Sequence, residues 1–279
     1  MREHRIYEYK YANRRYRSRT SFRRRDAVVW PPGAATLKVA HVCIIGIGGV
    51  GSWAAESLTR SAVGALTLID LDNVAESNVN RQVHALDGEF GRPKVAVMAD
   101  RLAAINPALS LSLVEDFVTP ENLDTMLDDR FDYVIDCMDQ HRTKAALIAH
   151  CRAAGLKLVI AGGAGGRTDP TRIRVDDLAR SRHDPLLARV RSSLRREYGF
   201  SRDLRKSFGV ACVFSEETVV YPQADGSVCA RKPTGAAASG LSCAGGLGSV
   251  MNVTASFGMA AAARALGDIA DARNGEEDC

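Results

Sequence analysis

No two of the seven cysteines in this 279-residue sequence are separated by just two residues. A four-cysteine zinc site built from Cys-x-x-Cys pairs therefore has no support, and no structural zinc is expected. The amino end lacks the apolar core of a secretory leader and is polar and arginine-rich instead. An odd cysteine number without a leader points to a reducing, cytoplasmic compartment, and Cys43 and Cys137, in apolar runs, read as small buried hydrophobes. No internal repeat is present. One stretch, residues 241–263, lacks charge over 23 positions, the length of a membrane span. It is rich in Gly, Ala, Ser and Thr, with Asn252 inside. A closely packed helix fits it better, and membrane association is not favoured.

The formal charge of +4 conceals two basic blocks. Residues 1–25 hold ten Lys/Arg against two Glu, and residues 180–206 hold nine against three acids, so the remainder is acidic. Such blocks attract polyanions in a salt-dependent way, or are simply solvated. Within the second, Arg189, Arg191, Arg195, Arg196, Arg202, Arg205 and Lys206 are the candidate polynucleotide contacts.

Residues 1–35 read as an arginine-rich arm of low order, closed by Trp30-Pro31-Pro32-Gly33. Strand-like runs at His41–Ile45, Ala65–Asp70, Ser110–Glu115, Tyr133–Asp136 and Lys157–Ala161 then alternate with helical patterns at Gly51–Ser61, Lys94–Ile105, Pro120–Leu127 and Arg142–Ala154. Continuous apolar strands between amphipathic helices predict an α/β fold: a Rossmann-like, mostly parallel sheet with helices on both faces. Residues 36–163 form its nucleotide-binding core. Residues 164–279 read as a smaller extension of the same domain, with a basic helix at Pro185–Tyr198, strand-like runs at Thr218–Tyr221 and Val228–Arg231, and a C-terminal helix.

Gly46-x-Gly48-x-x-Gly51 lies between a strand and a helix, and Asp70 follows the last glycine by 19 residues. That spacing meets the dinucleotide fingerprint; alone it suits an NAD-dependent dehydrogenase. Asp70-Leu71-Asp72, Asn78-Val79-Asn80-Arg81-Gln82 and Lys94 alter the reading. Hydride transfer has no need of an arginine and a lysine here, whereas transfer at phosphorus depends on cations around the developing charge. Asp139, just past a strand end, suits a magnesium ligand or a helix cap.

Gly46, Gly48, Gly49, Gly51, Asp70, Asp72, Asn78, Arg81, Lys94 and Asp136-x-x-Asp139 together resemble the ubiquitin-activating-enzyme superfamily, the ThiF/MoeB/HesA group. The resemblance implies ATP and Mg2+, with Asp70 at the ribose and adenine, Arg81 and Lys94 at the phosphates and Asp139 at the metal. It also implies a homodimer. Within the superfamily, Gly46–Trp53, Asn80–Leu86, Asp116–Asn122, Ala161–Pro170 and Val210–Gln223 resemble the tRNA threonylcarbamoyladenosine dehydratases, which implies ATP-dependent cyclisation of that nucleoside beside the anticodon. The same resemblance implies contact with a cysteine desulfurase system, for which Cys212, Cys229 and Cys243 are the candidate sulfur acceptors. The lead-in to the first strand departs from the family pattern upstream of Thr36, so no role is carried onto Arg24 or Arg25.

The alternative is adenylation of the C-terminal glycine of a ubiquitin-like sulfur carrier. Many enzymes of that kind carry two zinc-binding cysteine pairs and a thioester cysteine in the crossover. This sequence has no such pair, and no cysteine between Cys151 and Cys212; it has the basic stretch instead.

Overall fold

The computed structural model describes residues 6–9, 31–223, 226–230 and 247–271. Strand β1 (Ile6–Tyr9) lies within the arginine-rich segment, most of which falls outside the described residues. Helix α1 (Pro31–Val39) begins on the two prolines. They stop an upstream helix, yet they are tolerated in a first turn, where the missing N–H groups have no intrahelical acceptor. The nucleotide half then runs β2 (His41–Ile45), α2 (Gly51–Arg60), β3 (Ala65–Ile69), α3 (Lys94–Ile105), β4 (Ser110–Val114), α4 (Leu123–Met126), β5 (Tyr133–Asp136), α5 (His141–Ala154) and β6 (Leu158–Ala161). The later half adds β7 (Ile173–Asp177), α6 (Pro185–Glu197), β8 (Ala211–Ser215), a small hairpin of β9 (Tyr221–Pro222) and β10 (Val228–Cys229), and α7 (Met251–Asp271).

The main sheet has the order β1-β4-β3-β2-β5-β6-β8-β7. All pairings are parallel except β1 on β4 and β7 on β8, which close the two edges antiparallel. The smaller half thus adds strands to the same sheet. Strand β8 continues it, and β7, alternating Ile173 and Val175 with charged residues, forms its edge.

Alternation along each central strand supplies both faces. Val42 and Ile44 pack with Leu58, Leu102, Phe257 and Ala261 on one side. Cys43 and Ile45 pack with Leu123, Phe131 and Leu147 on the other. Farther along that second face, α5 and α6 enclose Ile148, Val190, Leu194 and Phe214.

Helix α7 lies against α2 at close range. A Cβ on Gly258 would collide with the Val50 carbonyl oxygen, 2.9 Å from the Ala54 nitrogen and 3.0 Å from Trp53 Cβ. The Tyr133 hydroxyl donates to Asp268 at 2.7 Å and ties the far end of α7 to β5. This helix contains only part of the charge-free stretch and extends past it through Arg264, Asp268 and Asp271. Among the described residues no helix is long and apolar enough to cross a membrane.

Gly258→Ala is therefore expected to destabilise the fold by about 1–3 kcal/mol through overpacking, read as a lower urea midpoint with an unchanged denaturant slope.

Candidate functional site

The chain winds from β2 to β3 and β4 on one side of the sheet, then returns to β5, β6 and β8 on the other. The loops leaving β2 and β5 therefore diverge and open a crevice at their carboxyl ends. Gly46–Val50 forms one lip. Gly51 lies beneath it, where any Cβ would strike the Gly46 carbonyl, so the loop closes tightly onto the start of α2. The N–H groups of Gly48, Gly49 and Val50 bond to nothing among the described residues. Three unspent donors at a helix N-terminus form an anion cradle.

Asp70, at the end of β3, braces this lip. Its carboxylate accepts from the Ile47 N–H at 2.6 Å and the Asp72 N–H at 2.8 Å. Burial pushes its pKa above the ordinary carboxylate value, against the pull of the Lys94 charge and those two N–H groups. Lys94 opens α3 and is itself buried, with Nζ 2.7 Å from the Asp72 carboxylate. Arg81 crosses the lip with its stem over Gly49. Its Nη1 donates to the Ser77 carbonyl at 2.7 Å and to Asn80 Oδ1 at 2.9 Å. Trp53 Nε1 holds the Arg81 carbonyl at 3.0 Å, and Asn80 Nδ2 reaches the Ser249 carbonyl at 2.9 Å, so the segment is fastened to both α2 and the lead-in to α7. Asn78 accepts from the Ala75 N–H at 3.1 Å.

Asp139 is exposed on the opposite lip, after β5. Its sequence companion Asp136 turns inward and meets Lys144 at 2.7 Å, both side chains without solvent contact. Burial raises the Asp136 carboxyl and the lysine opposes that rise. Asp136 also accepts from the Met138 N–H at 2.9 Å, which sets the course of the loop that presents Asp139.

The crevice encloses about 480 Å3. Gly46, Gly48, Gly49, Asp70, Asp72, Asn78, Arg81, Lys94 and Asp139 all line it. So do residues to which sequence reasoning assigned no part: Ser77, Gln82, Phe117, the wall Gly162–Gly165, Leu186 and Thr254. Those near Arg81 were detectable from their neighbours. The wall lies within Ala161–Pro170, which the family resemblance marked without a role, and Leu186 carries no local signal; the fold alone brings both to the nucleotide lip. His84, next to this group, is buried with neither ring nitrogen bonded among the described residues, and burial together with Lys94 and Arg101 pushes its pKa down to about 4.

The cationic stretch divides into two sets. Arg191 is half-buried and donates to Ser181, and its pKa is lowered by burial. Arg195 lies over the Phe208 ring at 5.1 Å from its centroid and donates to the Ser201 carbonyl at 3.2 Å. These two arginines serve packing. Arg189, Arg196, Arg202, Arg205 and Lys206 are exposed, with Arg196 paired to Glu197 and Arg205 to Asp203. Of the candidate sulfur acceptors, Cys212 is fully buried in β8 and burial pushes its thiol pKa up, which suits packing rather than exchange. Cys229 is half-buried in β10, and Cys243 lies outside the described residues.

The ThiF family matches residues 23–272. The tRNA threonylcarbamoyladenosine dehydratase of Escherichia coli (strain K12) is 50% identical over 227 residues, covering 81% of this chain and 85% of the relative. A solved structure of E. coli tRNA N6-threonylcarbamoyladenosine dehydratase in complex with ATP superposes with a TM-score of 0.82 at 41% identity, covering 93% of this chain and 97% of that one. The E. coli molybdopterin-synthase adenylyltransferase is 37% identical over 127 residues, 46% of this chain and 51% of the relative. The crevice, its cations and this similarity over most of both chains have one meaning: the chain belongs to the ThiF family, among the tRNA threonylcarbamoyladenosine dehydratases.

Proposed function

We propose that this chain uses ATP to activate the threonyl carboxylate of threonylcarbamoyladenosine beside the anticodon of tRNA, and that the activated group cyclises with net loss of water. The observation that carries the reading is the convergence of Arg81, Lys94 and Asp139 with the glycine lip on one crevice. The ATP phosphates lie on the unspent N–H groups of that lip, and Asp70 and Asp72 face the ribose. Asn78, Arg81 and Lys94 surround the phosphates; Arg81 offers a planar fork and Lys94 a point charge. Asp139 would hold Mg2+, an ion that binds through one or two carboxylates together with phosphate oxygens, and the ion would supply charge that neutralises the phosphates. A carboxylate oxygen bonds to the α-phosphorus as pyrophosphate leaves. The carbamoyl group of the same nucleoside then attacks the acyl carbon, AMP departs with that oxygen, and the proton passes to solvent. An internal nucleophile held this close has a high effective molarity, so no catalytic cysteine is needed.

Adenylation of a sulfur-carrier glycine is the weaker reading. Its representative matches only about half of this chain, and the exposed cations of α6 and the loop after it suit a polynucleotide. Residues 36–163 serve as the nucleotide half and 164–279 as the acceptor half in this reading. Exposed Leu71, Val79, Leu86 and Phe90 on the segment between β3 and α3 support a homodimer covering that face. The odd cysteine number supports a reducing, cytoplasmic setting.

Arg81→Ala and Lys94→Ala are each expected to lower kcat by about 100- to 1000-fold, with the thermal midpoint of the Arg81 variant unchanged. Asp139→Asn is expected to raise the Mg2+ concentration needed for half-maximal turnover while leaving tRNA binding unaltered. Replacing Arg189, Arg196 and Arg205 by alanine together is expected to flatten the slope of log affinity against log salt by about two to three, with ATP affinity preserved. Gentle nucleoside mass spectrometry of tRNA from cells lacking the protein tests the substrate itself: the cyclic nucleoside should vanish. Its persistence would remove the tRNA assignment and leave carboxylate activation standing.

A further inference from the structure

The crevice wall Gly162–Gly165 stands on two buried, oppositely charged side chains that do not themselves line the crevice. Asp184 is the N-cap of α6 and has no solvent contact. Its Oδ2 accepts from the Gly163 N–H at 2.9 Å and its Oδ1 from the Leu187 N–H at 3.0 Å. Gly162 leaves no room to spare, since a Cβ there would run into this carboxylate. Arg167, equally shut off from solvent, places Nη2 3.7 Å from Asp184. It also donates Nη2 to the His183 carbonyl at 2.8 Å and Nε to the Glu217 carbonyl at 3.3 Å. Its Nη1 is buried without a partner among the described residues. His183 is held at φ 51°, a left-handed conformation unfavourable for a residue with a Cβ.

This arrangement is costly as packing. Asp184 gains from capping α6, but a buried guanidinium with an unspent nitrogen and a residue at positive φ are both destabilising, and apolar side chains fill such a space at less cost than the guanidinium. Strain of this kind persists where the surroundings over-determine a geometry. The geometry fixed here is the alignment of Gly162–Gly165, which lines the crevice, with the first turn of the helix that carries Arg189 and Arg196.

We infer that Arg167 and Asp184 are positioning residues: the pair locks the crevice wall to the start of α6, so that a tRNA held by the exposed cations delivers its modified nucleoside to the bound nucleotide. The inference rests on the tRNA reading above. It separates two steps that a general loss of structure would affect together, because the pair touches neither the phosphate lip nor the exposed cations.

The test uses full-length Arg167→Met, Arg167→Lys and Asp184→Asn, with turnover normalised to the ATP-binding fraction. The kcat for cyclisation on threonylcarbamoylated tRNA should fall about 100-fold in each, while the dissociation constants for ATP and tRNA stay within about twofold. Lysine should not rescue, since one ammonium does not reproduce the three-way fork. Adding His183→Gly to Arg167→Met relieves the strained residue and should recover the thermal midpoint without recovering kcat. Unchanged kcat per ATP site in the single variants overturns the inference, as does recovery of kcat along with the midpoint in the double variant. If the wild-type protein itself makes no cyclic product from tRNA, the substrate reading falls and takes this inference with it. Wild-type turnover with unaffected variants defeats the inference alone.

Discussion

The parallel sheet reverses its winding between β2 and β5, and the gap between the two diverging loops is the space in which the chemistry is assembled. Most of the functional side chains are placed relative to that gap by a strand end or by the first turn of a helix, and Arg81 by the segment fastened to α2 and the lead-in to α7. The glycine lip follows β2, Asp70 closes β3, Lys94 opens α3, Asp139 follows β5, and the glycine wall follows β6. The strands are rigid because both of their faces are buried, and the loops inherit that rigidity through short tethers such as Asp70 to Ile47 and Asp136 to Met138. A phosphate chain meets an environment whose dipoles are already oriented, which is the condition for electrostatic stabilisation without reorganisation.

The legible part of this design is the part encoded at short range. Glycines spaced to admit a phosphate, an acid at the next strand end, and a cation at the start of the following helix all lie within one βαβ unit, and their side-chain chemistry is specific. The continuous apolar strands β2, β3 and β5 were legible for the same reason. Strand β7 was hidden because its alternation is short, with only Ile173 and Val175 set among Arg174, Asp176 and Asp177, as suits an edge. Strand β8 follows a basic helix, and its five residues give no periodicity of their own. The pairing of Arg167 with Asp184 was not legible: Arg167 lies in the stretch Ala161–Pro170 that the resemblance marked, Asp184 lies in none, and their joint meaning arises only when β6 and α6 are brought together.

Charge is used in two ways along the same helix. On the outward side of α6, Arg189 and Arg196 remain in water, where they attract over distance at little desolvation cost. On the inward side, Arg191 and Arg195 give up hydration to hold Ser181 and to lie over Phe208. Counting basic residues in the sequence merges these uses and overstates the surface available to a polyanion.

Strand β1 pairs with β4, which lies far downstream in the chain. During synthesis β1 waits as an unmatched ribbon while α1, β2, α2, β3 and α3 are made before β4, a period when such ribbons tend to join one another. The dense arginines around Ile6–Tyr9 set neighbouring copies repelling each other over that interval. Like charge flanking a strand edge opposes its pairing with another copy without any contact with nucleic acid.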